Sequence, residues 1–190
     1  MLYKKIILLR HGEVAIPNYG NITAETFNGW VVKYNHSDVK NNFRCKQEIE
    51  MLLNSVNRVI CSTLQRSIQS LKVFEEVPDE ISELFDEVQL PNAKGRLLKL
   101  SPKIWLVIYR ILWLLGYSKN CESFKASKTR AIIASKKLTS LVQNDEIVLL
   151  VGHGLMNKLI RKQLILAHWQ ETKKAKHNHW DYGVFELQIN

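Results

Sequence analysis

Short apolar runs alternate along this chain with longer segments whose apolar residues recur every three or four positions. Residues 5–9, 58–61 and 147–151 are built almost wholly from Ile, Leu, Val and Cys, the pattern of strands buried on both faces. Residues 44–55, 122–142 and 155–167 repeat their apolar positions as helices do, and a further helix is expected over 23–34. Ser62 or Thr63 is placed to cap a helix that runs to Glu76 and stops at Val77-Pro78. Residues 81–84 read as a short strand, and 184–189 alternates like a last one. The longest apolar segment, 104–115, is broken only by Arg110. It follows Pro102, reads as a buried helix, with a helix lying on a membrane surface as the alternative, and falls short of the roughly 20 residues that a bilayer span needs.

Interleaved in this way, the elements predict an α/β fold: a three-layer sandwich with a mainly parallel central sheet and helices on both faces. The chain has 190 residues, 46% of them apolar, and no repeat, low-complexity tract or Gly/Ser linker. Residues 1–190 are therefore expected to form one domain.

Two of the apolar runs end in a histidine. Arg10-His11-Gly12 follows residues 5–9, and Gly152-His153-Gly154 follows 147–151. In an open parallel sheet the C-terminal strand ends border the ligand crevice, so two histidines far apart in sequence can converge on one pocket. An imidazole nitrogen can attack phosphorus and split a difficult hydrolysis into two easier steps. The arginine beside it can fork two donors onto phosphoryl oxygens. Phosphoryl transfer asks for little else than charge neutralisation and alignment. Arg66, in Ser62-Thr63-Leu64-Gln65-Arg66, lies early in a helix, where the helix N-terminus also favours an anion. His153, if protonated, adds a third positive donor, and a histidine among arginines keeps its proton only with an anion nearby. A leaving alkoxide needs an acid. The acidic group Asp79, Glu80, Glu83, Asp86 and Glu87 is available, although by itself it reads as a solvated face.

Leu8-Leu9-Arg10-His11-Gly12-Glu13, Ser62-Thr63-Leu64-Gln65-Arg66-Ser67 and Val151-Gly152-His153-Gly154, in that order, resemble the histidine phosphatase, or phosphoglycerate-mutase-like, superfamily. The resemblance spans residues 5 to about 165, and residues 84–91 are similar to the family's acid-bearing loop. It implies a phosphoglycerate mutase-like fold, a nucleophilic His11, a phosphate pocket of Arg10, Arg66 and His153, and Glu87 as proton donor. It also implies no metal and no organic cofactor. Family members often carry Thr or Ser where this chain has Val14, and the mutase-type continuation is missing. The missing continuation tilts the expectation toward phosphate monoester hydrolysis, with a phosphomutase or a non-catalytic phosphate-binding protein as alternatives. Residues 13–42 and 91–120, the second containing Trp105 and Trp113, match no part of the family pattern and are expected as insertions that cover the active site.

Charge narrows the ligand without naming it. Twenty-seven Lys and Arg against eighteen Asp and Glu leave a formal charge of +9, which suits phosphate esters, nucleic acid or an acidic membrane. A phosphorylated small molecule is the expected partner. Nucleic-acid binding through Lys158, Arg161, Lys162, Lys173, Lys174 and Lys176 is the rival, and such a basic face is usually just solvated. Cys45, Cys61 and Cys121 have neither paired nor metal-type spacing, and no signal-peptide pattern opens the chain. A cytoplasmic protein without a transmembrane segment is expected. His177-Asn178-His179 reads as a polar turn rather than a metal site. Nothing in the sequence sets an oligomeric state.

Overall fold

The three apolar runs become adjacent strands because each is apolar on both sides and must be covered on both. The computed structural model describes residues 2–41, 43–92, 94–142, 146–176 and 178–189. In chain order the elements are β1 (Leu2–Arg10), β2 (Ile22–Thr23), α1 (Ala24–His36), α2 (Lys46–Leu53), β3 (Arg58–Cys61), α3 (Gln65–Lys72) and β4 (Glu80–Ile81). A 3-10 turn, Glu83–Phe85, precedes β5 (Lys99–Leu100), α4 (Pro102–Leu114), α5 (Phe124–Leu141), β6 (Ile147–Gly152), α6 (Gly154–Leu166), β7 (Gln170–Lys173) and β8 (Tyr182–Ile189).

The main sheet has the order β4-β3-β6-β1-β8-β7. β4, β3, β6 and β1 pair in parallel, and only β8 runs against its neighbours β1 and β7. A mostly parallel sheet flanked by helices is what the interleaved pattern predicts. Successive side chains leave a strand on opposite faces, which divides the core in two. Ile6 and Leu8 of β1, Ile60 of β3 and Val148 and Leu150 of β6 pack with Ala131, Leu138, Met156 and Ile160 of α5 and α6. Ile7, Leu9, Val59, Cys61, Leu149 and Val151 face the other way, onto Ile49 and Leu53 of α2 and Leu71 of α3.

A third cluster lies apart from the sheet. Phe27 and Trp30 of α1 pack with Trp105 and Tyr109 of α4, and the two-stranded β2-β5 sheet joins the segments that precede these helices. α4 begins where Ser101 accepts from the Ile104 N–H and Pro102 occupies the first turn, the favoured start of a helix. Its indoles tie it down: Trp105 donates to the Ile22 carbonyl at 2.7 Å and Trp113 to the Glu122 carbonyl at 2.7 Å.

Local chemistry explains where the structure departs from the expected elements. The strand expected at 81–84 shrinks to Glu80–Ile81, because Ser82 accepts from the Leu84 N–H and the chain turns to bury Phe85 completely. α3 starts at Gln65 with Leu64 in the cap position, since the Ser62 and Thr63 hydroxyls are engaged by His153 and Asp86. It ends at Lys72 rather than Glu76, the chain turning through Glu75 at φ 58°. β7 has no apolar alternation to announce it: Gln170–Lys173 is a polar edge strand held by β8. Among the described residues no helix is long and apolar enough to cross a membrane.

Trp113 is fully buried in the cluster shared with α5 and α6, so α4 hangs from the main core through it. Trp113→Ala is expected to lower unfolding stability by about 3–5 kcal/mol, measured by urea denaturation.

Candidate active site

Register brings the two histidines together. Arg10 of β1 pairs with Gly152 of β6, and the next hydrogen bond, His11 N–H to the Gly152 carbonyl at 3.0 Å, carries the pairing one step past the strand. His11 and His153 therefore emerge side by side, with 5.1 Å between ring centroids, and both are buried. Small residues permit this. A Cβ on Gly12 would lie 2.3 Å from the Trp180 ring, and one on Gly152 2.5 Å from the Asn157 Oδ1.

Each imidazole has its tautomer set by a neighbour. His11 Nδ1 lies 2.7 Å from the Gly12 carbonyl oxygen. A carbonyl only accepts, so Nδ1 carries the proton and the Nε2 lone pair is free. His153 is the mirror case. Arg66 Nε donates to its Nδ1 at 3.2 Å, so its proton sits on Nε2, 2.6 Å from the Ser62 hydroxyl and 3.2 Å from that of Ser67. His153 is thus neutral here, its Nδ1 accepting from Arg66, as a histidine among arginines with no anion nearby is expected to be. Burial, reinforced by the Arg66 charge, holds both His11 and His153 well below the ordinary histidine pKa.

Arg66 reaches this spot from the first turn of α3 and is buried. Besides His153 it donates to the Asn35 side-chain oxygen at 2.7 Å, and its guanidinium lies 5.4 Å from the Tyr34 ring. No carboxylate pairs with it among the described residues. Arg10 projects from the end of β1 beside Gly154 and donates to His179 Nε2 at 3.2 Å. The His179 ring is 5.3 Å from that of His11, and burial with Arg10 nearby pushes its pKa down to about 4.

Glu87 arrives on the loop that follows β4. Asp86, one residue earlier, binds the N–H and hydroxyl of Thr63, and Arg130 of α5 donates to the Leu84 and Asp86 carbonyls. So anchored, Glu87 accepts from the N–H groups of Leu155 at 3.2 Å and Met156 at 3.0 Å. The cap residue of α6 is His153, whose ring is committed elsewhere; a carboxylate from a distant loop takes its place, where the helix dipole favours it. Its charge acts on both Arg10 and Arg66.

The structure thus gathers Arg10, His11, Arg66, Glu87 and His153 at one edge of the sheet, as the motifs predict. Tyr34, Asn35, Ser62, Ser67 and His179 join them and were not foreseen. His179 falls in the segment read as a polar turn, whose His177 lies outside the described residues. Its signal was the last strand: β8 pairs Tyr182 with Leu9, which delivers residue 179 to the C-terminal end of β1. Although three imidazoles meet here, no group of three or more His, Cys, Asp or Glu among the described residues is arranged to hold a metal ion. The arrangement offers two cations, three neutral imidazoles and a carboxylate at one edge of the sheet, groups that phosphoryl transfer can use.

Sheet order, flanking helices and the histidines at the strand ends define a phosphoglycerate mutase-like fold. The family described as the histidine phosphatase superfamily, branch 1, matches residues 44–188, and the chain belongs to that superfamily. The match contains Arg66, Glu87 and His153 and begins after His11. Solved structures extend the likeness of fold across the N-terminal part. A phosphoserine phosphatase from Entamoeba histolytica, determined as a mutant with phosphoserine, aligns at TM-score 0.58 and 12% identity over 98% of this chain and 95% of that one. A putative alpha-ribazole-5'-P phosphatase from Escherichia coli aligns at TM-score 0.56 and 16% identity over 98% and 91%. A mycobacterial glucosyl-3-phosphoglycerate phosphatase aligns at TM-score 0.55 and 14% identity over 86% and 79%. Comparison with curated proteins finds no match.

The depressed histidines have a consequence for stability. In the unfolded chain His11 and His153 take up protons as the pH falls through about 6.5, while in the folded chain they resist. Stability is therefore undiminished by them above that pH and declines below it, by up to about 1.4 kcal/mol per pH unit for each histidine. Urea unfolding between neutral pH and mildly acid pH is expected to show this slope, shallower in His11→Gln and in His153→Gln. A slope unchanged from the wild type in both variants would count against it.

Proposed function

We propose that the chain hydrolyses a phosphate monoester of a small molecule through a phosphohistidine at His11, without a metal or an organic cofactor. One observation carries the reading: a buried imidazole with a free Nε2 lone pair beside Arg66, a buried cation whose hydrogen-bond partners are all neutral. Charge buried without a carboxylate paired to it is costly. A phosphoryl dianion is the ligand that relieves the cost.

In this mechanism Arg10 and Arg66 bind the phosphoryl oxygens while His11 Nε2 attacks phosphorus in line. The N–P bond forms as the ester P–O bond breaks, and Glu87, which takes a proton from the monoanionic ester as it binds, passes that proton to the departing alkoxide. Water, deprotonated by the Glu87 carboxylate, then displaces phosphate from His11 and restores both groups. His153 binds the phosphoryl group as a third donor once the anion draws Arg66 from its Nδ1 and a proton takes that place. Phosphate affinity consequently rises as the pH falls.

Hydrolysis is favoured over mutase chemistry because a mutase must keep its phosphoenzyme from water, and the mutase-type continuation is missing from this sequence. The insertions belong to the same reading. Asn35 and Tyr34, from residues 13–42, lie against Arg66, and α4, from residues 91–120, packs on α1. This supports both segments as the cover of the pocket and the seat of substrate choice. The structural neighbours, titled as phosphatases of phosphoserine, ribazole phosphate and glucosyl-phosphoglycerate, lend support to a small phosphate ester. The nucleic-acid reading loses ground because Arg161 is paired with Glu171 and Lys173 with Glu48. A cytoplasmic setting rests on the sparse, unpaired Cys45, Cys61 and Cys121.

Hydrolysis of p-nitrophenyl phosphate, unaffected by EDTA, is expected to vanish in His11→Ala. Persistence of turnover in that variant rules out His11 as the nucleophile. Glu87→Gln separates the two halves of the mechanism. It is expected still to release p-nitrophenolate in the first turnover, since that leaving group needs no proton, and to lose roughly 100-fold or more in the same step on alkyl phosphates. An equal loss on both substrates removes Glu87 from proton donation.

A further inference from the structure

Helix α4 is apolar on two sides, and only one of them is used. Pro102, Trp105, Tyr109 and Trp113 are buried. Ile104, Val107, Ile111, Leu114 and Leu115, spaced by three and four, share the opposite face and stand in solvent, Val107 at 57% and Ile111 at 52% exposure. The segment leading into the helix adds Leu97, fully exposed, and Leu98. Single exposed apolar residues are ordinary, but a continuous row of them on one helix marks a surface that binds something.

Charge says what. Residues 91–120 contain Lys94, Arg96, Lys99, Lys103, Arg110 and Lys119 without one Asp or Glu, and all six cations are exposed. Lys103 and Arg110, seven positions apart, flank the exposed apolar row along one edge. An apolar face bordered by cations is the pattern of a helix lying in the headgroup region of an anionic bilayer. A second copy of the chain fits poorly. A two-fold contact sets the same patch against itself, bringing Lys103 and Arg110 of both copies together with no acid in the segment to separate them.

We propose that α4 docks this chain on anionic lipid membranes, with Val107 and Ile111 at the centre of the inserted face and Lys103 and Arg110 on the headgroups. The docking helix belongs to the layer over the pocket. Tyr109 stacks on Phe27 of α1 at 5.2 Å, and α1 carries Tyr34 to Arg66. Docking stands or falls independently of whether the pocket turns over phosphate.

Co-sedimentation of the full chain with vesicles tests it. Binding is expected to mixed phosphatidylglycerol and phosphatidylcholine vesicles, weaker at higher salt, and little to phosphatidylcholine alone. Val107→Asp with Ile111→Asp, on solvent-facing positions, is expected to weaken partitioning by at least roughly tenfold. Turnover of p-nitrophenyl phosphate and the circular dichroism spectrum should not change. Lys103→Gln with Arg110→Gln, which keeps the apolar row, is expected to lose the preference for anionic vesicles. The proposal is overturned by no binding to anionic vesicles, or by undiminished binding in the aspartate pair. It is equally overturned by self-association that the aspartate pair abolishes while vesicles bind nothing.

Discussion

The pairing of β1 with β6 is the constraint on which the site depends. Both strands are apolar on both faces, so burial alone does not forbid a slip of one residue, as it does in a strand with one polar face. What holds the register stands at the C-terminal end. His11 N–H bonds the Gly152 carbonyl, Asn157 donates to the Leu9 carbonyl at 3.1 Å, and the Gly12 N–H donates to Ser70 at 2.8 Å. The glycines flanking the histidines belong to this lock. Gly12 lies under Trp180 and Gly152 under Asn157, closer than any side chain allows. A slip by one residue would separate the two rings and break all three bonds.

What the register assembles is electrostatically uncomfortable. Arg66 is buried beside groups that cannot neutralise it, and the two imidazoles answer by staying uncharged. The hydrogen bonds do this selectively. Gly12 takes the His11 proton onto Nδ1, while Arg66 forces that of His153 onto Nε2. Neighbouring rings of the same residue type are thereby given different faces, one with a lone pair available and one with its Nδ1 committed to a cation. Folding bears the cost, as is common where a site must be poised rather than relaxed.

The sequence made the sheet legible because buried parallel strands are compact apolar runs: 58–61 and 147–151 lie in β3 and β6 almost to the residue. It made Arg10, His11, Arg66, Glu87 and His153 legible because each sits in a local motif next to such a run. Contacts made by the topology were hidden. Tyr34 and Asn35 meet Arg66 across 32 and 31 positions of chain, and nothing local to them hints at it. The tautomer of His153 was hidden for the same reason, since it depends on which atom of Arg66 reaches it. His179 is intermediate: its own neighbourhood is an unremarkable polar turn, yet pairing the last strand with the first would have found it.

The layer of α1 and α4 has a core of its own, separate from both faces of the sheet. Its residues can therefore change without disturbing the strand ends that hold the histidines, which is the division of labour by which one fold serves many substrates. The separation is not complete. The aromatic series Phe27, Trp30 and Tyr34 runs along α1 in stacked contact, 5.7 Å and then 5.2 Å between rings, and Tyr34 ends it against the Arg66 guanidinium. Close-packed rings transmit a displacement, since a shift of one opens a gap beside the next. Pressure on this layer therefore bears on the residues that touch Arg66.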